Sequence, residues 1–324
     1  MPSASVSEAA SRRFVPHDFG QKVPNPAKAR AAAMEGLGMS LSAAQAHYRP
    51  ALLAVERALS IPKGRVADLP WRVTVRTGVH LRPLSVVEDM LETVRMQYAN
   101  GMPIENVAFG NAPAAQAVTA LMGIRAVYWR TVNFPPYIAL HLYAPLFAAI
   151  SHAVLDDAPL ALGSSDNADS GMTLPAPKLA VYVGHDSNVA PISAILGFGW
   201  KMPGGLPNDP QPGGFIMFER LREVNTGERF VRVSYHAQTL DQLRYLYTLG
   251  VAPAATASVV SPATSPVASA RIDPLSMPFR AEFKAPAAWG TRADNLIPIV
   301  QYQAMVQSVA AQACAQAQPQ ATAK

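Results

Sequence analysis

A histidine and a carboxylate stand side by side in Gly184-His185-Asp186-Ser187-Asn188. Such a pair can hold an anion with one group and move a proton with the other. The apolar run Leu179-Ala180-Val181-Tyr182-Val183 precedes it, and a helix-like segment, Val189 to Leu196, follows. The pattern predicts a short buried strand opening onto the pair. In open α/β sheets ligands bind outside the carboxyl ends of the strands. A bare His-Asp dipeptide also describes an ordinary solvated turn, so the surrounding sequence has to decide. His17-Asp18 and His47 lack any such surroundings and read as surface residues.

The elements that must position the pair come from a chain of 324 residues, enough for two domains of ordinary size. Half of the residues are hydrophobic and 15% are charged, which excludes a wholly disordered chain. The formal net charge of +5, from 27 basic and 22 acidic side chains, is spread without dense Lys/Arg runs. That argues against a nucleic-acid partner. A single cysteine, Cys314, excludes an intramolecular disulfide and a cysteine metal cluster. His and carboxylate residues do not cluster at metal-binding spacing, so neither a metal nor another cofactor is implied. Met1 to Ala10 has no apolar centre, and no signal peptide is visible there. Phe134 to Leu155 contains no Asp, Glu, Lys or Arg and is long enough to span a bilayer. Pro135, Pro136, Pro145, His141, Ser151 and His152 interrupt it. A buried or amphipathic helix starting near Pro136 is the better reading than a membrane span.

Residues 1–28 read as a poorly ordered leader and 29–134 as a mostly helical domain. Within the latter, two helices between Pro26 and Leu59 are separated by Gly36 and Gly38, with Ser42 as a cap for the second. Arg72 to Arg76 alternates as a strand would. The stripe Val87, Met90, Leu91, Val94, Tyr98 predicts a helix after Pro83, and Pro113 to Tyr128 predicts another. Residues 135–324 form an α/β domain carrying the His-Asp motif. Its strands are Leu179–Val183, Phe215–Leu221, Phe230–Tyr235 and Phe279–Phe283, with Thr226-Gly227 as a turn. Thr239 to Tyr247 and Ile297 to Cys314 read as helices, and residues 250–271 as a disordered insertion.

Downstream of the pair the chain continues with Leu196-Gly197-Phe198, Trp200-Lys201-Met202-Pro203-Gly204, Asp209-Pro210-Gln211-Pro212-Gly213-Gly214 and Phe218-Glu219-Arg220. Upstream lies Gln97-Tyr98-Ala99-Asn100-Gly101-Met102-Pro103. In this order and spacing the sequence resembles the bacterial histidine acid phosphatases of the histidine phosphatase superfamily, the branch with periplasmic phytases and glucose phosphatases. The resemblance implies an α/β fold, a phosphoglycerate-mutase-like α/β sandwich with a mostly helical cap. It also implies a phosphomonoester substrate, a phosphohistidine intermediate and a periplasmic location. Carried over, Asp186 is the general acid that protonates the leaving alcohol, and His185 contacts the phosphate. Gly184 lets the backbone approach the substrate, and Asn188 orients its neighbours. An alkoxide leaves badly unless protonated, and a cationic histidine adds a donor to a dianionic ligand.

The sequence departs from the family in its attacking half. The family's nucleophile lies in Arg-His-Gly-x-Arg-x-Pro at the end of the first strand, and no such string occurs. The nearest text, Arg76-Thr77-Gly78-Val79-His80-Leu81-Arg82-Pro83, has threonine in the nucleophile position and reads as coincidence. Apolar residues in Ala139-Leu140-His141-Leu142-Tyr143 stand where relatives carry arginines. Cys314 matches a half-cystine without its partner. These features together predict the C-terminal part of such a phosphatase, with the first strand missing and Leu179–Val183 left as an unpaired apolar edge. The expected function is a histidine-type acid phosphatase with little or no turnover in isolation. The alternatives are a non-catalytic phospho-ligand binder, a split enzyme whose N-terminal partner chain supplies the missing strand, or an inactive truncated product.

Overall fold

Helix α1 (Pro26–Leu37) begins where the sequence supplies both a cap and a preset backbone. Asn25 accepts hydrogen bonds from the N–H groups of Ala27 and Lys28 at 3.0 and 3.1 Å, and Pro26 occupies the first turn. The helix therefore takes in Pro26 to Lys28, the last residues assigned to the leader. Gly38, at φ 75°, ends it in the left-handed conformation that glycine adopts without strain. The computed structural model of the chain describes residues 25–75, 78–155, 160–161, 173–174, 178–247 and 278–317. His17-Asp18 and the insertion at 250–271 lie outside them.

Helix α2 (Leu41–Ala58) is capped by Ser40, whose hydroxyl accepts from the Ala43 N–H at 3.2 Å. Ser42, the expected cap, already lies inside the first turn. Strand β1 (Arg72–Val75) pairs antiparallel with β2 (Val79–Arg82), in a register that sets Arg72 opposite Arg82 and Val75 opposite Val79. The second strand was missed because it falls in the text read as a degenerate motif. Its Val79 and Leu81 are buried and its His80 and Arg82 exposed, the alternation of a one-sided strand. Helices α3 (Leu84–Ala99), α4 (Ala115–Val132) and α5 (Pro136–Leu155) follow. Val87, Leu91, Val94 and Tyr98 of α3 face the core as their spacing predicts, whereas Met90 is exposed.

Two hydrophobic cores meet on α5. Ile138 and Leu142 belong to the core built with α1 to α4, while Leu140, Ala144, Leu146 and Phe147 belong to the second core. The segments Ile104–Val132 and Pro136–Leu155 are long and apolar enough to cross a membrane by length and composition. In α5 the apolar surface of Ile138, Ala139 and Phe147 is fully buried against protein.

The second core packs helix α6 (Asp186–Leu196) and helix α8 (Ile299–Ala317) with an antiparallel sheet. In that sheet β5 (Phe215–Arg222) and β6 (Arg229–Ala237) form the expected hairpin, from Phe215 opposite His236 to Arg222 opposite Arg229. Strand β7 (Phe279–Glu282) and β8 (Ile297–Pro298) both pair with β6. A two-residue ladder, β3 (Leu160–Ala161) with β4 (Thr173–Leu174), lies between the two halves in sequence. Helix α7 (Leu240–Arg244), shorter than expected, ties the halves together. Its Arg244 donates to the carbonyls of Tyr98 and Met102, each at 2.9 Å, and its Asp241 accepts from Tyr98 Oη at 2.6 Å.

The buried strand expected at Leu179–Val183 does not form, although the run is left unpaired, as a missing first strand implies. It carries no strand pairing, and Leu179, Val181 and Val183 are 79, 73 and 93% exposed. A strand needs a neighbour for its backbone groups. Among the described residues no strand pairs with it, so an apolar run with high strand propensity stays exposed to water.

Candidate active site

The Gly184-to-Asn188 segment folds as the entry to α6. His185 is the N-cap, with the extended backbone of that position, φ −114° and ψ 170°. Its N–H donates to Asn188 Oδ1 at 2.8 Å, a bond from the third helical residue back to the cap. Gly184 makes room for it, since a Cβ there would lie 2.7 Å from Asn188 Oδ1. The first helical residue, Asp186, turns inward while His185 remains exposed. Asp186 Oδ1 accepts from the Ser187 N–H at 2.7 Å, and Oδ2 accepts a short hydrogen bond from Arg125 Nη2.

That second bond leads to a buried charge cluster. Arg95 and Arg125 are 1 and 2% exposed. Helix α3 presents Glu88, Glu92 and Arg95 on one side, and α4 presents Arg125 opposite. Arg95 Nη2 lies 2.5 Å from Glu92 Oε2 and 4.0 Å from Asp186 Oδ2, and its Nη1 lies 3.0 Å from Asp209 Oδ1. Arg125 Nη1 reaches the same Asp209 oxygen at 3.4 Å. Its Nε is 3.2 Å from Glu92 Oε2 and 3.5 Å from Glu88 Oε1, but off the axis of a hydrogen bond. The guanidinium stacks on Trp129, 4.3 Å from the ring centroid.

Four carboxyl groups thus surround two guanidinium groups. Burial raises the proton affinity of Glu88 above the usual carboxylate range, against the pull of the Trp129 indole N–H and of Arg125. Ions taken out of water at this cost hold their place only when geometry and hydrogen bonds compensate. Asp209 is fixed accordingly: Gln211 Nε2 donates to its Oδ2 at 2.9 Å, and Gln211 N donates to Tyr235 Oη at 2.9 Å. Tyr235 in turn stacks on Trp200 at 4.0 Å. The Trp200 to Gly214 loop, first noticed as text, is therefore the mount of a buried carboxylate.

Beside Asp186 opens a cleft of about 300 Å³ that includes Ser187, His80, Glu88, Tyr128, Leu142 and Tyr143 in its walls. His80 Nδ1 lies 3.5 Å from Tyr128 Oη. The string read as coincidence thus places one side chain on this wall, while Arg76 and Thr77 lie outside the described residues. Ala139 and Leu140 are core residues of α5. His47 lies against the Tyr48 ring on α2. A separate open groove of about 430 Å³, with Arg220, Arg222 and Arg229, sits at the end of the β5–β6 hairpin and shares no residue with the cleft.

Arg95, Arg125, Glu88 and Glu92 were missed by sequence reasoning. The signal was present on α3, where Glu88, Glu92 and Arg95 recur at helical spacing next to an apolar stripe. Nothing local distinguishes Arg125 except Trp129 four residues later.

The description "Histidine phosphatase superfamily (branch 2)" matches residues 128–236. Phytase AppA of Escherichia coli K12 is 26% identical over 223 residues, 64% of this chain and 49% of that protein. The glucose-1-phosphatase of Providencia rettgeri is 27% identical over 163 residues, 50% of this chain and 36% of that protein. The matched parts therefore span half or less of these relatives. Among solved structures, the Klebsiella sp ASR1 phytase superposes with a TM-score of 0.68 at 22% identity, over 98% of this chain and 70% of that one. The Citrobacter braakii phytase gives 0.70 at 19% identity, over 92 and 70%. The chain is thus similar to the histidine phosphatase superfamily over residues 128–236, and its fold is that of the phytases of this group.

Proposed function

We propose, for a chain similar to the histidine phosphatase superfamily over its C-terminal part, that the His185-Asp186 pair handles phosphomonoesters as histidine acid phosphatases do. The observation that carries the reading is the placement of Asp186. Its carboxyl stands in the first turn of α6, fixed by Arg125 and the Ser187 N–H, and the next residue, Ser187, lies in the wall of a cleft able to receive an alcohol. A fixed carboxyl there protonates the leaving oxygen of an ester whose phosphorus lies toward His185. The exposed His185, at the N-terminal end of an 11-residue helix, is the phosphate ligand. Gly184 and Asn188 hold that turn open for it. The periplasm is the compartment that the resemblance points to.

Without an Arg-His-Gly string in the sequence, turnover by this chain is expected to be low. The test is hydrolysis of an alkyl phosphate such as glycerol 2-phosphate at mildly acidic pH, since its alkoxide leaves badly unless protonated. Slow hydrolysis lowered further in Asp186→Asn supports the reading, and hydrolysis indifferent to that substitution contradicts it.

The exposure of Leu179 to Val183 favours a second reading, a phospho-ligand-binding or split-enzyme chain completed by a strand from a partner. Activity that appears on mixing with a fragment bearing Arg-His-Gly selects the split enzyme. Phosphate binding with no turnover in either case selects the binder.

A further inference from the structure

The far end of the β5–β6 hairpin gathers arginines on one face. Side chains alternate along β5, so Arg220 and Arg222 share the side on which Ile216 and Phe218 pack against the second core. The register sets Arg220 opposite the buried Val231 and Arg222 directly opposite Arg229. The core-facing side of the hairpin therefore runs past the end of the core and finishes in three exposed guanidinium groups. With Leu221 and Gly227 they line the open groove of about 430 Å³. Arg222 folds over the turn, where a Cβ on Gly227 would lie 3.4 Å from its Nη2.

The hairpin's carboxylates are engaged on its other face. Glu219 accepts from Arg232 Nε and Nη2 at 2.8 and 2.9 Å. Glu223 accepts from Thr226 Oγ1 at 2.8 Å and from Arg292 Nη1 at 3.3 Å. Arg292 lies over Phe230, 5.1 Å from its centroid, and Phe230 alternates with Arg229 and Val231. Glu228, beside Arg229 in the turn, does not line the groove, nor does any other carboxylate among the described residues. Like charges directly opposite on a ladder are destabilising, and a concave surface lined by one sign of charge concentrates counter-ions. Guanidinium groups also match phosphate with paired hydrogen bonds.

The tip adds an apolar group. Val224, two residues beyond Arg222 in the turn, is 95% exposed. A soluble anion has no use for it. At a lipid surface the same pair of features works together, with arginines at the phosphate level and an apolar side chain in the headgroup boundary.

We infer that the tip of the β5–β6 hairpin docks on an anionic phospholipid surface, with Arg220, Arg222 and Arg229 holding headgroup phosphates and Val224 entering the interface. The groove shares no residue with the cleft beside Asp186. Docking here and phosphoester chemistry there stand or fall separately.

The experiment is flotation of the full chain with vesicles of phosphatidylcholine alone or mixed with phosphatidylglycerol, at low and raised salt. Binding is expected to the mixed vesicles, to weaken as salt rises, and to be absent with phosphatidylcholine alone. Arg222→Gln with Arg229→Gln should lower the partition on the order of tenfold or more, from about 1 kcal/mol per arginine near such a surface. Arg222→Lys with Arg229→Lys should keep most of it, and Val224→Ser should lower it several-fold with the salt dependence unchanged. Should the double glutamine variant fail to fold, Arg222→Gln alone carries the test, with a several-fold loss at an unchanged thermal midpoint. Equal binding to both vesicle types, binding indifferent to the arginine substitutions, or no vesicle binding overturns the inference. So does calorimetric binding of tripolyphosphate that needs Arg222 while vesicle binding is indifferent to Val224→Ser, since the groove then takes a soluble anion.

Discussion

Arg125 and Asp186, 61 residues apart in the chain, share a hydrogen bond that fastens helix α4 to the first turn of α6. The same guanidinium contacts Asp209, so one side chain sets the positions of two carboxylates from different segments. Removing it leaves those carboxylates, Glu88 and Glu92 to Arg95 alone. Arg125→Met is expected to cost about 3–5 kcal/mol in urea denaturation, the range for an orphaned partner of a buried ion pair. Arg125→Lys recovers only part, because an ammonium cannot fork between two carboxylates. A loss below about 0.5 kcal/mol, the range of ordinary surface changes, would show that the cluster is not under tension.

Glu56 holds a loop by charge. Its buried carboxylate accepts from the N–H groups of Gly64, Val66 and Ala67 at 2.7, 2.6 and 2.8 Å. Burial alone would raise its proton affinity, but the three donors outweigh that and hold it below the ordinary value of 4.5. A carboxyl depressed on folding stabilises above its unfolded value, and the contribution is lost as pH falls through the folded value. Glu56→Gln is expected to cost about 1–3 kcal/mol at pH 7. The gap between wild type and variant should close in acid, below the ordinary value of 4.5. An equal gap at neutral and acid pH would rule the charge out.

Gly214 faces Tyr235. A Cβ there would lie 2.5 Å from Tyr235 Oη and 2.9 Å from the Gln211 carbonyl oxygen. Gly214→Ala should therefore displace the turn that mounts Asp209, at a cost of about 1–3 kcal/mol. Tyr235→Phe removes one of the two obstacles, so the double variant should be less destabilised than the sum of the singles by at least about 0.5 kcal/mol. Strict additivity in thermal or urea unfolding would contradict the contact.

How much of this was legible follows from what each signal measures. The β5–β6 hairpin was legible because alternation, strand-forming residues and a Thr-Gly turn all agree over residues 215–235. Leu179–Val183 shows a divided case: its composition reports only that the segment would pair if offered a neighbour, and it was the missing Arg-His-Gly string, not the run itself, that implied an unpaired edge. His185, Asp186 and Asn188 were legible as a local turn, since Asn188 caps a residue three positions away. The Arg125–Asp186 bond was not, because an arginine in an apolar helix carries no local mark of a partner 61 residues on.

The exposed apolar run carries its own prediction. Leu179, Val181 and Val183 put apolar side chains into water at alternate positions of one short run, and such patches drive association. Val181→Lys with Val183→Lys should reduce concentration-dependent association in sedimentation velocity and leave the thermal midpoint unchanged. A fall in the midpoint would mean that the run is buried in the folded chain.

The account rests on a phosphate held beside His185 with Asp186 as a neighbour that does not bind it. The direct measurement is calorimetric titration of inorganic phosphate into wild type, His185→Ala and Asp186→Asn. The account predicts binding by wild type and a loss of about 10- to 100-fold in His185→Ala, the worth of a charge-assisted hydrogen bond. Asp186→Asn, which removes a negative charge from beside the anion, should keep or tighten the affinity. Binding that survives His185→Ala unchanged, or that is lost in Asp186→Asn, would contradict it.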